Sequence, residues 1–325
     1  MQKMSFTNNL RKHAKQVEGT ILLPECAIDE RVMEAAKYIL KHNLSRIAVI
    51  GKKKNFPAEL RDNKDCKFFD ISTYKKLDEM ASALYELRKH KGLTKENAKA
   101  LVQTPQYFSM MLLKIGEVDG MVAGAVWTTA DTLRPALQVI KTKPESELVS
   151  GAMLMLKEGK KPLLFTDVSL NIDPTSEQLK SIAVDGAKFY HRLTNNKPYV
   201  AMLSFSTLGS ASSPSTEKVR KATELVKAST TISCVGEIQL DAAIDKSTAL
   251  KKGVPSDLAG KSNVLVFPNL DAGNIGYKLA SRLGGYSAIG PIMLGLNKPV
   301  NDLSRGCTTK EIINNILITK LQIKK

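Results

Sequence analysis

The sequence predicts an α/β fold of about two domains with mostly parallel sheets. The chain has 325 residues, which is more than one ordinary domain needs. Short apolar runs alternate along it with longer segments of helical periodicity. Strands that alternate with helices of this length form crossover units, and crossover units build parallel sheets covered by helices.

The predicted elements keep this alternation from one end of the chain to the other. A first strand is predicted at 20–25, an amphipathic helix at 29–43, and a second strand, which ends in glycine, at 46–51. Further strands are predicted at 66–71, 119–126, 146–156, 161–168, 199–206, 235–240, 263–268 and 286–294, with long helices at 72–90 and 175–196. The polar segment 141–147 holds one proline, and we expect the main domain boundary there.

Composition indicates a globular protein without a metal centre. Hydrophobic residues make up 43% of the chain and charged residues 25%. The first apolar run, 20–23, is too short for a signal sequence, and no window offers the roughly eighteen apolar residues of a membrane span. We therefore expect a cytoplasmic location. The cysteines form no CxxC pair and the histidines are dispersed, which argues against a disulfide framework and a zinc site.

The net charge of +16 is compatible with nucleic acid, an anionic membrane or a phosphorylated small substrate as the partner. The lysines are spread along the chain, and aromatic residues are only 6%, with Trp127 the single tryptophan. Basic segments interleaved with stacking rings are therefore missing, and most lysines are best interpreted as solvated helix faces. The few arginines are more informative, because a planar guanidinium binds a phosphate with two parallel hydrogen bonds and the ammonium of lysine does not.

Ligands of open α/β sheets bind beyond the carboxyl ends of strands, where loops lead into helices. Four such loops carry suggestive residues, at 25–31, 127–134, 204–218 and 301–309. The loop 204–218 is rich in Ser and Gly, but no GxxxxGK[ST] is present and no GxGxxG follows the first strand. A polar loop with a helix cap is as good an interpretation of it as a phosphate cradle.

The loop 301–309 contains a serine and an arginine that local structure does not explain. Thr308 and Glu311 match the capping box T-x-x-E, so the start of the last helix accounts for both. Ser304 and Arg305 precede that cap, and a hydroxyl beside a guanidinium suits an anion or a developing oxyanion. In the loop 127–134, Thr128 is predicted to cap a helix, and the same geometry suits a phosphate.

Six long motifs resemble the phosphate acetyltransferase family in order and over nearly the whole chain. They are "LPECAIDERV", "LYELRKHKG", "GMVAGAVWTTADTLRPALQ", "AMLSFSTLGS", "FPNLDAGNIGYKLASRLGG" and "AIGPIMLGLNKPVNDLSRGCT". The resemblance implies transfer of an acetyl group between CoA, or acetyl-CoA, and inorganic phosphate through a ternary complex without a metal. It also implies a homodimer.

The same resemblance implies a two-domain α/β/α fold like that of the isocitrate and isopropylmalate dehydrogenases, with the active site in the interdomain cleft. Because the last segment of the family returns to the first domain, we expect domain I at 1–145 plus 296–325. Domain II is then expected at 146–295.

The resemblance also gives roles to individual residues. Ser304 would bond to the reacting centre, and Arg305 would stabilise negative charge on the phosphate and on the tetrahedral intermediate. Thr128 and Thr129 would help to seat the phosphoryl group. Three arginines stand where the family places arginines associated with CoA or the site, namely Arg31, Arg88 and Arg134.

The proton acceptor is the position at which the chain departs from the family. Seven residues after the serine the family has an aspartate that accepts the thiol proton of CoA, and this chain has Glu311. Glutamate can accept a proton, but a capping box would turn its carboxylate toward backbone N–H groups. Asp302 is therefore kept as a substitute candidate.

Three alternatives remain at this stage. Phosphate butyryltransferase shares the fold and the chemistry, although the motifs "TTADTLRPALQ" and "LYELRKHKG" favour acetyl. A basic nucleic-acid-binding protein is disfavoured by the dispersed lysines. A dehydrogenase of the same fold lacks a nicotinamide fingerprint in this sequence.

Overall fold

The chain forms two compact units, and the first is assembled from two separate stretches of sequence. The computed structural model describes residues 6–323. One unit contains the described residues up to Lys141 together with those from Leu296, and the other runs from Thr142 to Gly295. Within the described residues, no helix combines the length and the apolar character that crossing a membrane requires.

The stretch up to Lys141 alternates strands with helices. Its strands are β1 (Thr20–Leu23), β2 (Arg46–Ile50), β3 (Cys66–Phe69) and β4 (Gly120–Ala123). Its helices are α1 (Phe6–Gln16), α2 (Glu30–Lys41), α3 (Ala58–Arg61), α4 (Leu77–Arg88), α5 (Lys95–Val102), α6 (Pro105–Ile115) and α7 (Thr129–Pro135). The helix predicted at 72–90 begins only at Leu77, because Asp70 caps a separate 3-10 turn, Ile71–Thr73.

The second unit continues the alternation with longer strands. Its strands are β5 (Ser150–Leu156), β6 (Leu163–Thr166), β7 (Tyr199–Leu203), β8 (Ser233–Ile238), β9 (Val264–Val266) and β10 (Ser287–Leu294). Its helices are α8 (Ser176–Thr194), α9 (Pro214–Ser229), α10 (Leu240–Ile244), α11 (Lys246–Lys251) and α12 (Leu270–Arg282). The unit has a six-stranded sheet of order β10-β5-β6-β9-β7-β8, in which β5 pairs antiparallel with β10 and β6 and the other pairs are parallel.

The stretch from Leu296 adds one strand and one helix to the first unit, namely β11 (Val300–Asp302) and α13 (Thr309–Gln322). The sheet of this unit has the order β11-β4-β1-β2-β3, and all its strand pairs are parallel. Strand β11 was not predicted, because it is three residues long and only Val300 is apolar. The predicted α/β fold with mostly parallel sheets is confirmed in both units.

Helix α13 forms part of the core of the first unit. It is buried on every side from Ile312 to Leu321 and packs against α1, α2 and β4. Even Lys320 is buried, where its Nζ donates to the carbonyl of Leu44 at 2.7 Å and burial lowers the pKa of the ammonium. The body of α13 is therefore fixed in the core of the first unit, and the loop after β11 leads directly into it.

Candidate functional site

The carboxyl ends of three neighbouring strands bring the loops of several predicted site residues together in the first unit. Strand β4 lies between β1 and β11, and Leu303 N donates to the carbonyl of Ala123 at 2.7 Å where β11 ends. Arg31 follows β1, Thr128 follows β4 and Ser304 follows β11. Because the three strands are parallel, their loops meet at the edge of the sheet where ligands of α/β proteins bind.

Ser304 and Arg305 lie in the exposed loop between β11 and α13. The backbone closes a tight turn there, since Cys307 N donates to the carbonyl of Ser304 at 2.9 Å and Gly306 N donates to Ser304 Oγ at 3.3 Å. Within residues 6–323, no hydrogen bond or ion pair engages the Arg305 guanidinium. Its donors are thus available to an anion.

Asp302 is a buried carboxylate joined to an exposed hydroxyl. Its exposed fraction is 2%, and Thr129 Oγ1 donates to its Oδ2 at 2.7 Å. Its Oδ1 is buried and has no hydrogen-bond partner among the described residues. Burial raises the pKa of Asp302 to about 6, the hydrogen bond from Thr129 opposes this shift, and the nearby charge of Glu25 adds to it. Asp302 is therefore poised to exchange a proton near neutral pH.

The two predicted helix caps are confirmed. Asp131 N donates to Thr128 Oγ1 at 3.2 Å, and Thr128 N donates to Asp131 Oδ2 at 3.1 Å. At the start of α13, Thr308 N donates to Glu311 Oε2 at 2.7 Å and Glu311 N donates to Thr308 Oγ1 at 3.3 Å. The carboxylate of Glu311 is thus directed to the helix start, as the capping box predicts.

Glu25 is a site residue that the motif analysis missed. It is completely buried after β1, and its carboxylate accepts the backbone N–H groups of residues 124–127 at distances from 2.6 to 2.9 Å. An acidic residue directly after a buried strand is a signal that could have revealed it. Glu25 shapes the loop that carries the chain from β4 to Thr128.

Arg31 uses its whole guanidinium within the first unit. Its Nη1 donates to the carbonyls of Arg305 and Cys307, both at 2.8 Å, and its Nη2 donates to the carbonyl of Ala125 at 3.0 Å. The remaining donors reach the carboxylate of Asp29 at 2.7 to 3.3 Å. The side chain thus connects the loop after β4 with the loop after β11.

Arg88 and Arg134 share one electrostatic neighbour, Tyr107. Burial raises the pKa of Tyr107 on α6, and the charges of Arg88, at the end of α4, and Arg134, on α7, oppose this shift. In the described part of the chain, no hydrogen bond or ion pair connects either arginine to Ser304 or Arg305.

The loop 204–218 of the second unit is bonded to a buried carboxylate of β8. The buried Glu237 accepts Ser206 Oγ at 3.1 Å and Gly209 N at 2.7 Å through Oε1, and Arg220 Nε reaches its Oε2 at 3.3 Å. Ser213 caps α9. These contacts favour the interpretation of a polar loop with a helix cap.

Metal-ligating side chains are not clustered in the described part of the chain. Among residues 6–323, no group of three or more His, Cys, Asp or Glu side chains is arranged to hold a metal ion. The expectation of chemistry without a metal stays a prediction.

The chain is similar to proteins of one family over nearly its whole length. Residues 5–320 match the family model described as "Phosphate acetyl/butaryl transferase". A phosphate acetyltransferase of Acetivibrio thermocellus is 44% identical over 327 residues, covering 98% of each chain. A phosphotransacetylase structure from Streptococcus pyogenes aligns with a TM-score of 0.92 at 41% identity, over 99% of each chain. A 4-hydroxythreonine-4-phosphate dehydrogenase of Klebsiella pneumoniae shares the fold alone, with a TM-score of 0.52 at 12% identity over 94% of this chain and 100% of that one.

Proposed function

Because the chain belongs to the phosphate acetyl/butyryl transferase family, we propose that it transfers an acetyl group between CoA and inorganic phosphate. The observation that carries the proposal is the exposed Arg305 guanidinium, which has no partner among residues 6–323 and follows Ser304 at the edge of the sheet. The buried carboxylate of Asp302 lies at the same edge. Together these residues supply anion binding and proton transfer, which the reaction needs.

In the proposed reaction the CoA sulfur attacks the carbonyl carbon of acetyl phosphate within a ternary complex. A C–S bond forms, negative charge collects on the carbonyl oxygen, and the C–O bond to phosphate then breaks. Arg305 and Ser304 donate hydrogen bonds to the oxyanion and to the departing phosphate. In the opposite direction a phosphate oxygen attacks acetyl-CoA and the thiolate leaves.

We place Asp302 ahead of Glu311 as the acceptor of the thiol proton. A free thiol has a pKa near 8.5, so a proton acceptor raises the fraction of thiolate at neutral pH. The hydroxyl of Thr129 gives its one proton to Asp302, and its oxygen therefore presents lone pairs to an S–H group. The thiol proton would pass to Thr129 while the threonine proton passes to Asp302. The carboxylate of Glu311 is instead engaged by both the backbone N–H and the hydroxyl of Thr308, within the capping box of α13.

Direct transfer, without an acyl-enzyme, is supported by the state of Cys307. This thiol lies two residues after Arg305, is buried, and has its pKa raised by burial. A raised pKa leaves little thiolate, so Cys307 is a poor nucleophile. The acetyl group is therefore proposed to move between the two substrates.

CoA is a polyanion, and we propose that Arg88 and Arg134 bind its phosphates. The positive charges of both act on Tyr107, so both contribute to the positive potential around that residue of the first unit. Thr128 and Thr129 stay proposed contacts of the phosphoryl group, with Thr129 contributing its backbone N–H because its hydroxyl proton is given to Asp302. The location of the site in an interdomain cleft, the arrangement of the units as in isocitrate dehydrogenase, the homodimer and the cytoplasmic location also stay predictions.

The test is release of the CoA thiol by purified protein from acetyl-CoA with inorganic phosphate. We expect release that depends on phosphate, and release at the same rate without phosphate would indicate hydrolysis instead. With butyryl-CoA we expect a lower kcat/KM, since a pocket discriminates each methylene by about 1 to 3 kcal/mol. Higher kcat/KM for butyryl-CoA would favour phosphate butyryltransferase. Tight, salt-sensitive binding of nucleic acid without any thiol release would support the alternative of a basic nucleic-acid-binding protein.

A further inference from the structure

We propose that Glu25 and Arg31 hold the two site loops, 124–127 and 304–307, in one geometry, and that Arg31 is a positioning residue instead of a ligand of CoA. The inference rests on the proposed function, because it concerns the same site.

The hydrogen bonds of Arg31 leave no donor for a substrate. A guanidinium has five N–H groups. Four of these reach backbone carbonyls of both loops or Asp29 Oδ2, and the fifth, on Nε, points between the two carboxylate oxygens of Asp29. To bind a phosphate of CoA, Arg31 would have to release the backbone of Arg305 or Cys307. One of the carbonyls that it holds belongs to Arg305, the residue proposed to stabilise the oxyanion.

The guanidinium of Arg31 is itself held in place by the carboxylate of Asp29. Asp29 caps α2 by accepting Arg31 N at 2.9 Å and Val32 N at 3.1 Å, and the same carboxylate binds the Arg31 side chain. The guanidinium holds the pKa of Asp29 below its usual value. The side chains of Asp29 and Arg31 are 11% and 33% exposed, so solvent reaches this pair only in part. The connection to the loops is therefore anchored on a helix.

Glu25 and Arg31 hold the 124–127 loop through different backbone groups. Glu25 accepts the amides of all four residues, whereas Arg31 donates to the carbonyl of Ala125. Gly124 adopts a φ of +103°, and a Cβ there would lie 2.3 Å from Asp302 Oδ1. This contact places the loop directly against the end of β11. Both site loops are thus parts of one hydrogen-bonded assembly.

Such an assembly matters because catalysis depends on precise placement of donors. A displacement of about 1 Å at a reacting centre can lower turnover about 10²-fold. Loss of the Arg31 contacts releases the backbone of Arg305 without removing its side chain. We therefore expect kcat to fall while the affinity for CoA is kept.

The decisive variant is Arg31→Lys, which keeps the positive charge but replaces the planar guanidinium, with its five N–H donors, by a single ammonium. We expect kcat to fall roughly 10- to 100-fold, with the KM for CoA within about twofold of the wild-type value. In Arg31→Ala, added guanidinium chloride at millimolar concentration should restore part of the lost kcat. If Arg31 binds CoA instead, Arg31→Lys will keep kcat and Arg31→Ala will raise KM, and this result overturns the proposal.

The matched control is Arg61→Lys, since Arg61 is an exposed arginine of α3 that pairs only with Asp62 among the described residues. We expect its kcat and KM to stay at the wild-type values. Asp29→Asn is the milder variant if Arg31→Lys does not fold, and it should lower kcat at unchanged KM. Normal kcat in a folded Asp29→Asn and Arg31→Lys would overturn the proposal.

Amide hydrogen exchange separates this inference from the proposed function. If the wild-type protein releases no CoA, the acetyltransferase proposal fails, but the two loops can still be measured. In Arg31→Lys we expect faster exchange in the peptides that cover 124–127 and 304–307, with unchanged exchange in β2 and β3. If exchange in both loops is unchanged, the proposal that Arg31 holds them is overturned, whatever activity the variant has.

Discussion

Replacing Asp302 by asparagine should remove a loss of folding stability that the wild-type protein suffers as the pH rises. Burial raises the pKa of this carboxyl from 3.8 to about 6. A raised pKa means that the folded state binds the proton more tightly than the unfolded chain does. The contribution of the protonated Asp302 to the free energy of unfolding is fully present below pH about 4 and is lost as the pH rises through about 6. The difference between the two pKa values corresponds to roughly 3 kcal/mol.

Asparagine cannot ionise, so Asp302→Asn lacks this dependence on pH. Its amide NH₂ would take the place of Oδ1, which has no partner among the described residues, and an unpaired buried group costs about 1 to 3 kcal/mol at every pH. Stability at a single pH is therefore a poor test. The informative quantity is the free energy of unfolding of the wild type minus that of the variant, measured against pH.

Urea unfolding of both proteins between pH 4 and pH 7.5, followed by circular dichroism, gives this difference. We expect it to fall by up to roughly 3 kcal/mol as the pH rises, because only the wild type must ionise a buried group. Asp62→Asn is the control, since the side chain of Asp62 is 67% exposed. A difference that stays constant with pH, or one that rises, would refute the reasoning about Asp302.

Three further predictions concern single residues of the candidate site. Ser304→Ala should lower kcat about 10²-fold with unchanged thermal stability, and near-normal kcat in the thiol-release assay would remove Ser304 from the chemistry. Glu311→Gln should keep most of the turnover and lose at most about 1 kcal/mol of stability in urea, because Gln also serves a capping box; a thousandfold loss of kcat would instead identify Glu311 as the proton acceptor. Arg134→Gln should raise the KM for CoA, and by less at high salt, because salt screens exposed charges; an unchanged KM would argue against contact with CoA.

Much of the fold could be predicted from the sequence, because its signals are local. The apolar runs of β1, β2 and β7 and the periodicity of α2 and α8 are visible along the chain itself. The helix cap at Thr128 and the capping box of Thr308 and Glu311 could also be predicted, since each depends on residues three positions apart. Strand β11 could not, because three residues give no pattern and the strand exists only through its pairing with β4.

The candidate site was predictable as a set of residues but not as an arrangement. Ser304 and Arg305 stand out in the sequence as a motif. The bond between Thr129 and Asp302, however, spans a sequence separation of 173, and the contacts of Arg31 with the 304–307 loop span more than 270. Roles that depend on such distant partners follow from the tertiary structure. For this reason the sequence predicts Arg31 as a substrate ligand, whereas the structure shows its guanidinium bonded to carbonyls of both loops.

The most direct test of the account is the turnover of Arg305→Ala in the phosphate-dependent thiol-release assay. The guanidinium is exposed and has no partner among residues 6–323, so its removal should leave the melting temperature unchanged. Loss of the donor that stabilises the oxyanion should lower kcat about 10²- to 10³-fold, with Arg61→Ala unchanged as the control. Wild-type kcat in a folded Arg305→Ala would contradict the account.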